Sequence, residues 1–107
     1  MAKGKIYLIC DMGHDNLYKI GRTKNAVSER IGELQTGNPD ELFVIKEFET
    51  DAPAVLEGML HRHFFPKKVL NEWFRLDDED VFSFEETCEK YEDIMNALCK
   101  NPFFRPR

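Results

Sequence analysis

Two short apolar runs, IYLIC at 6–10 and LYKIG at 17–21, flank the polar segment DMGHDN, and this arrangement admits few folds. The first run is β-branched and aromatic and apolar on both faces, which marks a strand over residues 5–10. Gly, Asp and Asn in the joining segment tolerate positive φ, so the chain can turn back through a loop of about five residues. The second strand then covers residues 16–22. Gly21, near its end, marks a place where the backbone bends or where something approaches it closely.

Helical spacing follows. Asn25 can cap a helix running to about residue 35, with Val27, Ile31 and Leu34 on one stripe and Gly37 and Pro39 as its stop. Residues 42–49 predict a third strand. Asp51 can cap the next helix, with Pro53 in its first turn, Leu56, Met59, Leu60 and His63 facing inward, and Pro66 ending it. The segment NEWFRL at 71–76 is short and extended. Ser83 and Glu86 form a capping box for a last helix over 83–99, whose stripe is Phe84, Cys88, Tyr91, Ile94, Met95 and Leu98. The expectation is an α+β domain: a small three-stranded, mostly antiparallel sheet, hairpin first, flanked by three helices. Residues 1–100 form this single domain and residues 101–107 a basic tail.

The 107 residues suffice for one core without disulfides or metals. No apolar run approaches the roughly 18–20 residues that span a bilayer, so no membrane partner is expected. The opening Met-Ala-Lys-Gly-Lys leads straight into the first strand and is no signal peptide. Cys10, Cys88 and Cys99 are odd in number and lack metal-like spacing. On one helix, the last two would stand about 16 Å apart, beyond disulfide reach. Reduced thiols and a cytoplasmic or nuclear location, not a secreted one, are expected.

A net charge of −5 argues against nucleic acid until its distribution is seen. Half of the twenty acidic residues fall between positions 72 and 93, where Arg75 and Lys90 are the bases. That run is most simply a solvated helix face. A basic face built from Lys19, Arg22, Lys24, Arg30, Arg62, Lys67 and Lys68 therefore stays available.

The order of several short pieces carries a resemblance. GKIY (Gly4 to Tyr7), YKIG (Tyr18 to Gly21), SER ending at Arg30, and LEGMLHRHF with Glu57 resemble the GIY-YIG nuclease superfamily. The later NEWFRL is similar to the branch named after an open reading frame of phage T5. The resemblance covers about residues 4–80. It implies an endonuclease acting on phosphodiester bonds, with nucleic acid as partner, DNA ahead of RNA. It also implies four roles. Tyr7 helps deprotonate the attacking water, and Lys19 assists it. Arg30 stabilises the phosphoryl oxygens, and Glu57 binds one divalent cation, Mg²⁺ or Mn²⁺.

Lys19 departs from the family pattern, which has Tyr two positions before the glycine. Here Tyr18 stands three positions before Gly21. Successive strand side chains point to opposite faces, so with Ile20-Gly21 aligned Lys19 takes the active-site face and Tyr18 the reverse. A nearby ammonium favours a phenolate and would lower the pKa of Tyr7. A lysine can equally hold phosphate without catalysis, which leaves a silent DNA- or protein-binding module as the alternative. A structural interaction domain without a nucleic-acid role is a third reading.

Supporting residues are read more loosely. Arg22 can substitute for Arg30, although alone it reads as surface charge. Arg30 borders the buried stripe of its helix, so a snorkelling arginine competes with a phosphate clamp. A lone Glu57 with water ligands suits Mg²⁺. Adjacent-but-one His61 and His63 face different directions and make no zinc site; His61 reads as a phosphate or leaving-group contact and His63 as a satisfied core residue. Asn71 is a further candidate for holding phosphate. Trp73 and Phe74 read as packing. Phe103 and Phe104 could support a homodimer.

Overall fold

The computed structural model describes residues 3–100, with side chains through Leu98. Expected elements over 101–107, Phe103 and Phe104 included, lie outside the described residues. Strands β1 (Gly4–Asp11) and β2 (Leu17–Thr23) form the opening hairpin, and Asn16 takes a left-handed φ of 59° at its turn. Helix α1 (Val27–Thr36) leads to strand β3 (Leu42–Thr50), which pairs antiparallel with β1 on its other side. Helix α2 (Pro53–His63) runs into a single 3-10 turn, Phe65–Lys67.

The sheet is larger than expected. Strands β4 (Lys68–Leu70) and β5 (Trp73–Arg75) form a second hairpin, and β5 pairs with β2. The result is a five-stranded antiparallel sheet in the order β3-β1-β2-β5-β4, not a three-stranded one. Three-residue strands are too short to show a period of two, so NEWFRL alone could be read only as extended. The turn between them places Asn71 at φ 53°, a conformation that asparagine tolerates. Helix α3 (Asp78–Phe82) and helix α4 (Phe84–Lys100) complete the chain.

The sheet carries a core on each face. Ile6, Leu8 and Ile20 pack with Leu56, Leu60, Phe74, Phe84 and Cys88 beneath α2 and α4. Tyr7 and Ile9 pack with Val27 and Leu42, with Ile31, Leu34 and Trp73 around them, on the face covered by α1. The α1 stripe is thus as expected. In α2, Leu56 and Leu60 are buried, but His63 is exposed; its Nδ1 shares a 2.8 Å hydrogen bond with the Tyr91 hydroxyl. In α4, Ile94 and Leu98 are exposed.

Helix starts also differ from expectation. Ala26 and Ala52 stand at the N-caps of α1 and α2, and neither Asn25 nor Asp51 caps. Thr23 and Thr50 instead turn the chain: their hydroxyls accept from the N–H groups of Asn25 and Ala52. The capping box belongs to Asp77 and Asp80 at α3, and the Ser83 hydroxyl donates to the Glu79 carbonyl. The last helix still begins directly after Ser83, at Phe84. Within the acidic stretch, Lys67 pairs with Asp77 and Asp80, and Lys46 with Glu85 at 3.0 Å. Of the expected basic face, Lys67 is thus engaged by carboxylates.

Candidate nuclease-type site

Strand register decides which side chains share a face. In the β1–β2 ladder Tyr7 stands opposite Gly21 and Ile9 opposite Lys19, so Tyr7 and Lys19 lie on the α1 side of the sheet. Tyr18, paired with Cys10 and Phe74, lies on the reverse side and packs against the α2 core. Gly21 is needed where it stands, because a Cβ there would run into the ring and hydroxyl of Tyr7. The phenol crosses the backbone of β2 at that bare position.

Strand β5 accompanies β2 only from Leu17 to Lys19. Beyond this, the Ile20 N–H donates to the Glu72 carbonyl, and the Ile20 carbonyl accepts from His61 Nε2 at 2.8 Å. His61 also meets Phe74 edge-on at 5.0 Å. Its Nε2 thus fastens α2 to the strand, leaving Nδ1 as the ring nitrogen outside this bond. The sheet ends early at this rim, and α2 brings Glu57 to it.

The charged groups form a chain about the Tyr7 hydroxyl. Lys19 bonds to Glu72 at 3.0 Å and lies 5.5 Å from the Trp73 ring centre. Glu57, only 7% exposed, is ion-paired with Arg22, which reaches it from the α2 side of β2. Arg30 pairs with Glu33 at 3.2 Å along its own helix. Burial pushes the Tyr7 hydroxyl above its ordinary pKa, and the negative charges of Glu72 and Glu57 add to that. Arg30 beside the phenol acts in the opposite sense, and the phenol in turn raises the Arg30 pKa. The expectation that Lys19 would draw the Tyr7 pKa down is corrected: Glu72 holds the ammonium, burial dominates, and Arg30 is the cation that favours the phenolate.

Tyr7 thus feels the charges of Arg30, Glu72 and Glu57, while Lys19 is held by Glu72 and Glu57 by Arg22. Tyr18 and Asn71 stand apart: the first faces the other core, and the second is exposed on the β4–β5 turn. In the sequence, Glu72 stands out only as the first acid of the 72–93 run. The Arg22 pairing carried no sequence signal beyond its nearness to Gly21.

Two places could hold a cation. Glu57 is a single, nearly buried carboxylate at the rim, and one carboxylate with water as the remaining ligands suits Mg²⁺ or Mn²⁺. Asp11, His14 and Asp40 also bring one ligand atom each within 4.8 Å of one another. These groups are already engaged. Asp11 accepts from the Gly13 N–H at 2.8 Å and from Asn38 at 3.4 Å, and His14 Nδ1 lies 3.4 Å from both carboxylates. This cluster ties the β1–β2 turn to the entry of β3.

The family model of the T5orf172 domain matches residues 4–92. No curated protein and no solved structure matches the chain.

Proposed function

The chain belongs to the T5orf172 domain family, a nuclease-associated group of GIY-YIG type, and from that premise we propose a metal-dependent endonuclease acting on phosphodiester bonds, DNA before RNA. The observation that carries this reading is the convergence on Tyr7: a phenol laid over Gly21 feels Arg30, Glu57 and Glu72 at once. Such a set can hold a phosphodiester, share its developing charge and move a proton. Its preorganisation in a sheltered rim makes each charge count for more than in water.

Each residue has a separable task. The planar fork of Arg30 binds two phosphoryl oxygens and takes up charge as the phosphorus becomes pentacoordinate. Tyr7 orients the attacking water and, as a phenolate that has released its own proton to solvent, accepts the water's proton. Its raised pKa makes it a phenol in the free protein, so cationic neighbours must favour the phenolate during reaction. Lys19, kept in place by Glu72 and Trp73, offers a further positive charge to the same phosphate. Glu57 would hold one divalent cation, Mg²⁺ or Mn²⁺, which supplies Lewis-acid polarisation of the phosphate and charge stabilisation of the leaving oxygen.

Nicking of supercoiled plasmid with Mg²⁺ or Mn²⁺ tests the reading. Wild type should nick and Glu57→Ala should lose at least about a hundredfold in rate, as for loss of one charge-stabilising group. Equal rates remove the claim. One observation favours a second reading, a catalytically silent DNA- or protein-binding module: Lys19 and Arg22 are each engaged by a carboxylate, which leaves neither free to act on a scissile phosphate. A gel shift that survives Glu57→Ala and Tyr7→Phe, with no nicking by any form, selects that module.

A further inference from the structure

The ion pair between Arg22 and Glu57 joins a nearly buried carboxylate to a half-exposed guanidinium: the two side chains are 9% and 50% exposed. Burying an unpaired charged carboxylate is costly, so an ionised Glu57 favours states in which it keeps a positive partner. A divalent cation and Arg22 are alternatives for that place. Arg22 also has somewhere to go. With Thr23, Lys24 and the start of α2 at residues 52–55, it lines an adjoining concavity of about 450 Å³. There its fork can take the oxygens of a phosphate while Lys24 supplies a second charge.

We propose that Arg22 holds the cation's place on Glu57 until a nucleic-acid phosphate draws the guanidinium into the adjoining concavity, so that cation and nucleic acid load cooperatively. This rests on Glu57 as the cation ligand of the proposed nuclease. In the free protein, Arg22 lowers the affinity for the cation. With nucleic acid bound, the competitor is removed and the affinity rises. Linkage is reciprocal, so the cation strengthens nucleic-acid binding by the same factor.

The test is a Mn²⁺ titration of the full chain, read from the electron paramagnetic resonance signal of the free ion, with and without a short phosphorothioate DNA duplex. The Glu57→Ala protein serves to subtract Mn²⁺ held by the duplex. Arg22→Ala should bind Mn²⁺ about tenfold more tightly than wild type, an ordinary coupling between sites. Arg22→Gln, which keeps a hydrogen-bond donor for the carboxylate, should do the same if the alanine form fails to fold. The duplex should tighten Mn²⁺ binding in wild type and leave both Arg22 variants unchanged. Equal Glu57-dependent affinities in wild type and the Arg22 variants overturn the switch and leave the cation site standing, as does a wild-type affinity that the duplex does not shift. Mn²⁺ binding that never depends on Glu57 overturns the cation site and the switch together.

Discussion

Tyr7 is 1% exposed although its hydroxyl sits among charged groups, and the absence of a side chain at Gly21 makes that possible. Gly21→Ala should therefore act on both stability and function. Forcing a methyl into a packed contact costs about 1–3 kcal/mol, measurable by urea denaturation, and the displaced phenol should lower nicking more than binding. The Tyr7 phenol should also titrate late. In a 295 nm alkaline titration, the difference between wild type and Tyr7→Phe should be a tyrosine ionising above its ordinary value of 10.0. A difference curve centred at or below that value contradicts the burial argument. The side of the sheet taken by Tyr7 and Lys19 was legible, because alternation along a strand leaves two choices and Gly21 fixes the phase. The partners were not legible. Arg22 meets Glu57 only because α2 crosses to the sheet rim, and nothing local to either residue encodes that approach.

The second hairpin completes the site at the level of elements. Strand β5 delivers Phe74, fully buried, to one core and Trp73 to the other, and its preceding turn delivers Glu72 to Lys19. Phe74→Ala should cost about 3–5 kcal/mol in urea melts. It should also loosen β4–β5 and with it the Glu72 contact. A loss under 1 kcal/mol would mean that the hairpin is a passive flap. The long elements could be read from their periodicity: the first hairpin, α1, β3, α2 and the buried start of α4. Strands β4 and β5 could not, because at three residues each their pairing is a property of the sheet they join. The cap of the last helix was misassigned for a related reason. Ser83 and Glu86 match a capping box locally, but the Ser83 hydroxyl is turned back to the Glu79 carbonyl of the short helix α3, which the sequence reading did not anticipate.

Across the whole molecule, the balance of buried protons predicts how stability varies with pH. Burial pushes the Cys88 thiol from 9.0 up to about 12 and raises the Tyr7 and Tyr18 hydroxyls as well. Between those limits the unfolded thiol has lost its proton while the folded one keeps it. The folded state binds more protons there, so stability present below pH 9 drains away as pH climbs toward about 12. Urea melts across that interval should show the fall, and Cys88→Ala should flatten it; an unchanged slope in that variant contradicts the assignment. The same global view shows how an acidic chain leaves room for the proposed nucleic-acid site. Its acids are concentrated in the stretch that builds α3 and α4, while the rim holds Arg22, Arg30 and Lys19. No helix among the described residues is long and apolar enough to cross a membrane. The central claim is that Tyr7 and Glu57, drawn from a strand and a helix, act on one phosphodiester as a single unit. The most direct test is the single-turnover nicking rate of Tyr7→Phe, Glu57→Gln and the double variant, measured with Mn²⁺ on one plasmid. Residues that act as a unit are not additive, so the double variant should be about as slow as the slower single variant. Rate losses that multiply, or single variants as fast as wild type, would contradict it.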